Sequence, residues 1–502
     1  MIKTYSNHLS YLNNKITIAI SIQLLFSIFL ILFRLNNFSF ESQPDELIYP
    51  FCCILTILFL WTILSWFTIT KSIFNPYILF FLSAFIFNAG QTILQAFHLN
   101  TKELLDIFEF YFSSHTILDT LFLVTICLSS FHLGALINLA VDCRKQVNQN
   151  NNKNHANNLN KSLEREEITS KSCYIIGRNL IFISFLPALY ITGQRFITVI
   201  ASGYGGLYGN WGSGIGSAPK ILADFIIPAC LFLLAGSKNR PQGKIISATI
   251  VITYSVTMLL SGERNQAVMA LASYAWLWQQ IVAPLPKSLF IFITVTFTFL
   301  SPLIAAVRNT AGQDRFSIKY LLEVYSTIEN PLVATIWEMG ASMMTVAHTI
   351  ELVPRVRDFQ WGLDYWYALL TLFPSIFGGR HPTIARGLAE RWLTEEVNSI
   401  FAFNHGTYGF TFIAEAYLNF GWVGAPIAIS VIGFLFSRLV VWAVQNRNPA
   451  KMAMLASYIS FFLFYARAES ALILRALVWY AIFPYIWVIL DSNARYKKIE
   501  RL

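Results

Sequence analysis

Twelve apolar runs, at 16–35, 47–70, 74–99, 115–142, 173–199, 219–236, 245–261, 265–283, 289–307, 421–444, 453–470 and 471–490, constrain this chain more than any motif in it. At about 1.5 Å per helical residue, roughly 20 residues cross a hydrocarbon core of about 30 Å, so the runs have spanning length. Lipid gives backbone groups no partner, and the runs lack the alternation of barrel strands; only helices satisfy themselves in such segments. The expectation is an all-α polytopic membrane protein of about twelve transmembrane helices, forming one transmembrane domain over residues 1–502. Composition agrees: 13% of residues are charged, against about 25% in soluble domains. The first run lacks a small-residue cleavage pattern and reads as a retained helix.

The segments between the runs give the orientation. SKNRPQGK (237–244), QNRNPAKM (445–452) and NARYKKIERL (493–502) are basic, which places them and both termini in the cytoplasm. The stretch 143–172 falls on the same side. Asn-rich and poor in apolar residues, it cannot bury a core and reads as a disordered cytoplasmic loop. Two outer segments remain: a Gly-rich loop at 200–219 and a large helical extracytoplasmic loop at 308–407. Within the latter, WGLDYWYALLTLF (361–373) reads as an interfacial helix anchored by Trp361 and Trp366. The six cysteines lie in predicted helices or at their inner ends, which argues against a disulfide framework or a Cys-based metal site. The net charge of +9 is scattered among loops, so no nucleic-acid partner is expected.

The basic residues differ between the two faces. Inner segments carry mostly lysine; the outer ones hold Arg34, Arg195, Arg264, Arg308, Arg315, Arg355, Arg357, Arg380, Arg386, Arg391, Arg467 and Arg475 against Lys102, Lys220 and Lys319. A point charge suffices for topology, whereas a planar fork of donors suits phosphate. The outer face therefore reads as an oxyanion site. Arg264 and Arg467 stand out, because each sits in a hairpin so short (LLSGERNQA, FYARAESA) that its charge is held beside hydrocarbon, where it needs a partner. The plainer alternative pairs outer arginines with Glu263, Asp314, Asp358, Glu390 or Glu469.

The stretch SIFAFNHGTYGFTFIAEAYLNFGWVG (399–424) is apolar, yet Thr407, Thr411, Glu415 and Asn419 recur every fourth residue, along one side of a helix. From 408 to 444 the apolar pattern would reach about 55 Å, too long for one straight crossing. Gly421, Gly424 and Pro426 mark a break. The expectation is a half-helix at 407–420 entering from outside and a crossing at 421–444, with the polar stripe facing a cavity. Glu415 is then one candidate general base, and His405, at the mouth of that cavity, is the other.

Three segments carry a family likeness: LSGERNQA (260–267), FQWGLDYWYALLTLFPSIFGGRHP (359–382) and NHGTYGFTFIAEAYLNFGWVG (404–424). They resemble the Wzy-type O-antigen polymerases, also called oligosaccharide repeat unit polymerases. The most specific match is the run Glu415, Tyr417, Asn419, Phe420, Gly421; Glu263 departs from the family, standing where a small residue is common. The resemblance implies a GT-C-like glycosyltransferase on the outer face of the bacterial inner membrane. Such an enzyme polymerises polyprenyl-diphosphate-linked oligosaccharide repeat units into O-antigen or exopolysaccharide, with no metal and no other cofactor. Against that chemistry, Arg264, Arg308, Arg380, Arg386 and Arg467 are the candidate diphosphate ligands, and His405 or Glu415 the base. Tyr408, Asn419 and Trp366 are candidate glycan contacts. The implied partners are the lipid-linked oligosaccharide, the bilayer, a flippase and a chain-length regulator.

Three alternatives stay open. An O-antigen ligase performs similar chemistry on a different acceptor. Another GT-C transferase would use monophosphate-linked sugars through an outer acidic motif, for which ESQPDELIY (41–49) offers Asp45 and Glu46. A lipid-linked oligosaccharide flippase is disfavoured, because the sequence shows no internal repeat and gathers its polar chemistry on one face.

Overall fold

Every apolar run becomes helix, as the need to satisfy backbone groups within the segment requires. The computed structural model describes residues 2–37, 44–99, 106–108, 111–150, 159–209, 217–308, 310, 312, 317–373, 381–445 and 447–500. In chain order the first helices are α1 (Ile2–Asn37), α2 (Asp45–Thr70), α3 (Pro76–Ala96), α4 (Ser114–Asn150) and α5 (Leu159–Ser202). The short Ser217–Ala223 helix then leads into α6 (Ile226–Ala235), followed by α7 (Pro241–Leu260), α8 (Arg264–Ile281) and α9 (Lys287–Val307). The long segment after α9 contributes α10 (Pro331–Gly340), α11 (Leu363–Leu370) and α12 (Ala389–Val397), along with further short helices that include Ile318–Ser326 and Met344–Leu352. The chain returns through α13 (Phe412–Val444), α14 (Pro449–Phe462), α15 (Ser470–Ala476) and α16 (Phe483–Glu500).

Among the described residues, 11 helices are long and apolar enough to cross a membrane. The further run read from the sequence is α8, which forms over 18 residues. Its ends carry Arg264, Asn265, Gln266, Gln279 and Gln280, which lower its mean hydropathy. The chain is thus an all-helical, multi-pass membrane protein. Its flanks fit that environment: Phe182, Leu186 and Phe292 present large apolar surfaces outward, which water would penalise and lipid accepts.

The centre of the bundle is aromatic. Phe80 on α3 packs against Phe131 on α4, Phe412 and Phe436 on α13 and Phe462 on α14, with ring centroids 4.5 to 5.8 Å apart. Such offset and edge contacts add about 0.5–1.5 kcal/mol per pair beyond area burial. They fix α13 and α14, which bracket the candidate site, against the first half of the chain.

Two sequence expectations are corrected. The stretch 143–172 is not a disordered loop over its described part: α4 continues to Asn150, and α5 already begins at Leu159. The polar side chains of this part of α5 have partners on α16, since Arg165 lies over the ring of Tyr496 at 4.6 Å and Thr169 Oγ1 meets Ser492 Oγ at 3.2 Å. Low apolar content removes a core but does not prevent a long spanning helix from continuing into water. Residues 151–158 lie outside the described residues.

The break in α13 falls at Gly421, where φ is 63° and ψ is −160°, a conformation open to glycine because it lacks Cβ. The helix before it starts at Phe412 rather than at 407. Thr411 is its N-cap, accepting from Ala414 N at 3.2 Å, and Thr407 lies in the preceding loop, accepting from Gly409 N at 2.9 Å. Of the four residues of the polar stripe, only Glu415 and Asn419 are inside the helix.

Candidate functional site

The hairpin LSGERNQA closes α7 and opens α8, so Arg264 emerges at the first residue of a helix end. Its guanidinium reaches across to α9 and α10. Nη1 donates to Ser301 O at 2.9 Å, to Ser301 Oγ at 2.7 Å and to Glu338 Oε2 at 2.9 Å, while Nη2 donates to Glu338 Oε1 at 2.5 Å. Glu338 rides on α10, and α10 is drawn against α3 by a contact only glycine permits: a Cβ on Gly340 would stand 2.5 Å from Gln91 N. The outer loop is therefore built into the bundle at the point where it delivers this carboxylate.

Arg308, at the C-cap of α9, brings a second guanidinium to the same carboxylate, with Nη1 3.9 Å from Glu338 Oε1. It also lies over the Tyr204 ring at 5.4 Å, and its carbonyl accepts from Tyr204 N at 2.9 Å. Arg467 supplies the third. It ends a 3₁₀ turn, Leu463–Arg467, rests over the Phe87 ring at 5.2 Å, and interacts electrostatically with Glu338, Tyr204, Arg264 and Arg308. Among the described residues its guanidinium makes no hydrogen bond or ion pair. Gly409 lies against it: a Cβ there would be 3.9 Å from Arg467 Nη2. Arg264 and Arg308 thus share the Glu338 carboxylate, and Arg467 interacts electrostatically with Glu338 and Glu390 without pairing to either, so three cations stand against two carboxylates.

Two buried acids hold the turn that carries Arg467. Glu415 is fully enclosed on α13. Its carboxylate accepts from Ser470 N at 3.0 Å, from Ser470 Oγ at 2.5 Å and from Tyr465 OH at 3.2 Å. Glu469 accepts from Ala389 N and Glu390 N, both at 3.1 Å, capping the first turn of α12. Burial, reinforced by nearby Glu390 and opposed by those two N–H groups, pushes the Glu469 carboxyl up to about 7. Glu415 and Glu469 hold the Tyr465–Ser470 segment, and Glu415, one of the two candidate bases, is buried with its carboxylate taken up by three donors.

A second group of charges surrounds Asp364 at the start of α11. Arg386 Nη2 donates to Asp364 Oδ1 at 2.8 Å and to Gln360 Oε1 at 2.6 Å, and its guanidinium lies over Tyr367 at 4.6 Å. Asn419 completes the knot: Nδ2 donates to Asp364 Oδ2 at 2.9 Å and to Glu415 O at 2.8 Å, while Oδ1 accepts from Gly362 N at 3.0 Å. Gln360 N and Trp361 N donate to Leu418 O and Asn419 O, both at 3.0 Å, just before the break in α13. Arg357 lies over Trp392 at 4.7 Å, and burial lowers its pKa. Asn419 is fully buried and fastens α11 to α13. Arg386 pairs with Asp364.

The remaining predicted residues fall as follows. His405 is exposed, with φ at 60°, on the loop that runs to Gly409 beside Arg467. Tyr408 is half-buried; its N donates to Thr394 Oγ1 at 3.1 Å and its ring lies 5.3 Å from Phe401. Near it, burial holds His348 down at about 4. Trp366 points outward from α11. Arg380, Arg315 and Asp314 lie outside the described residues. Glu263, the residue that departs from the family pattern, pairs with Arg195 at 2.8 Å rather than with Arg264. Asp45 begins α2 and is held by Ser114 Oγ.

Sequence reasoning missed Glu338, Asp364 and Tyr204. Glu338 had a usable signal, since it is the one carboxylate within the apolar stretch PLVATIWEMGASMMTV (331–346). Asp364 and Tyr204 had none, because their partners come from distant segments.

No curated protein and no solved structure matches the chain. A family match does exist and runs from residue 16 to residue 498, nearly the whole chain, so that the arginine hairpins, the outer loop and α13 all fall inside it. This multi-pass membrane protein belongs to the family described as O-antigen polysaccharide polymerase Wzy.

Proposed function

We propose that the Arg264, Arg308 and Arg467 group holds the diphosphate of a polyprenyl-linked glycan on the outer face of the inner membrane. The chain then extends the glycan by transfer to the next lipid-linked repeat unit. The observation that carries this reading is the charge excess: Arg264 and Arg308 share Glu338, and Arg467, which interacts electrostatically with Glu338 and Glu390, makes no ion pair among the described residues. In transfer, the acceptor hydroxyl oxygen forms a bond to the anomeric carbon while the bond from that carbon to the diphosphate oxygen breaks. The electron pair leaves with the diphosphate, and the arginines stabilise the negative charge as it develops. The hydroxyl proton goes to His405, the exposed imidazole on the loop that borders Arg467.

Glu338 is the counter-ion that offsets the mutual repulsion of the arginines, and an incoming diphosphate displaces it. The arginines take the part that a metal ion plays in other phosphate-releasing enzymes. Extension in the presence of EDTA checks this, and dependence on added magnesium or manganese counts against it. The direct test of the whole reading is purified protein incubated with defined lipid-linked repeat units alone. A polymer ladder supports polymerisation; product formed only when lipid A core is added identifies a ligase.

A further inference from the structure

The opposite end of the bundle carries a cavity that the glycan chemistry does not use. Arg264 and Gln280 sit near the two ends of α8, an 18-residue helix about 27 Å long. Around Gln280 and Gly236 opens a cavity of about 570 Å³, at the end of the molecule that bears the basic loops. That volume lies within the range of small-ligand sites, about 300–1,000 Å³.

Its lining is charged and drawn from separate chain segments: Lys171 and the carboxylates Glu166 and Glu167 on α5, Lys238 and Arg240 between α6 and α7, and Arg447 before α14. None of these six side chains makes an ion pair among the described residues. Four cations against two carboxylates leave an excess of positive charge facing an open volume. One feature adds to it: the Arg240 guanidinium is held over the Tyr174 ring at 4.5 Å, which orders it.

We propose that this cavity binds a phosphoryl group carried on a small polar head. That chemistry is shared by the headgroup of an anionic phospholipid and by a soluble phosphate ester. Basic pockets between helix ends at the headgroup level recognise the first in this way. The proposal does not depend on the glycan-transfer reading, because it involves neither the arginine site nor the outer loop.

The test uses the full-length protein in phosphatidylcholine nanodiscs, with and without phosphatidylglycerol, and counts retained lipid by native mass spectrometry. A Lys238→Gln/Arg240→Gln variant keeps the side-chain bulk and is accepted once it melts like the unaltered protein; Arg447→Gln serves if it does not. Removing two cations is expected to lower phosphatidylglycerol retention about thirtyfold. Retention that inorganic phosphate and AMP do not displace assigns the site to the lipid headgroup. Displacement by either, or binding of AMP in detergent without anionic lipid, assigns it to a soluble ester. Equal retention by the unaltered protein and the well-folded variant, or no binding of any of these probes, overturns the proposal.

Discussion

The two arginine groups, one around Glu338 and one around Asp364, are built from the same residue type, yet their charges are balanced differently. Around Asp364, Arg386 is matched by a buried carboxylate, by Gln360 and by the amide network of Asn419. Around Glu338, Arg264 is matched, Arg308 stands 3.9 Å away, and Arg467 has no hydrogen bond among the described residues. A neutralised pair rigidifies a fold, even though Arg386 Nε itself has no hydrogen-bond partner among the described residues. A group with surplus charge is, on the reading proposed above, the one suited to an anionic ligand. Arginine content alone cannot separate the two; the count of carboxylates within reach does.

Substitutions break this comparison most directly at Arg467. Arg467→Ala or Arg264→Ala is expected to lower chain extension by about 10² to 10³, the cost of removing one preorganised donor, with the protein still inserted. Arg467→Lys keeps the charge without the fork and is expected to recover only part. Polymer of normal length and yield from both alanine variants sinks the diphosphate assignment.

At the other group the loss is in stability. Arg386→Ala leaves Asp364 buried and uncompensated, at a cost of roughly 3–5 kcal/mol, read as a lower melting temperature or reduced yield. The fraction that folds is expected to retain its turnover. A variant of unchanged stability but abolished turnover would move Arg386 into the catalytic group and erase the distinction drawn above.

Glu338→Gln sharpens the comparison with a gain. It removes the competing charge while keeping the shape, so inorganic pyrophosphate is expected to inhibit about fivefold more strongly, the equivalent of roughly 1 kcal/mol. Weaker inhibition would show that Glu338 organises the arginines more than it competes with the anion.

The smallest effect is on pH dependence. Burial raises the Glu469 carboxyl to about 7, above the ordinary carboxylate value of 4.5, so the folded state binds its proton more tightly than the unfolded state does. The resulting stability is fully present below about 4.5 and is lost as pH rises through about 7. Glu469→Gln is expected to flatten that part of the thermal-melt profile; an unchanged slope would assign it to other groups.

Much of this was legible beforehand for a physical reason. Helix existence in lipid follows from length and apolar content alone, so the spanning runs, the break at Gly421 and the placement of Arg264 and Arg467 at hairpins could be read along the chain. The roles of Glu415 and Asn419 could not. Their spacing correctly places both on the first part of α13, but whether a buried carboxylate meets a hydroxyl or two residues of its own protein depends on Ser470 and Tyr465, about 50 positions away. The reading of 143–172 failed because composition reports whether a segment can bury a core, not whether a neighbouring helix will extend through it.

The sequence by itself determined that the chain crosses a membrane many times and that short hairpins between its helices carry arginine, since both follow from local chemistry. Only the tertiary structure decided which arginines share a carboxylate and which are left with charge to offer. That partition depends on helix contacts such as Gly340 against α3, which bring together residues that no local pattern connects.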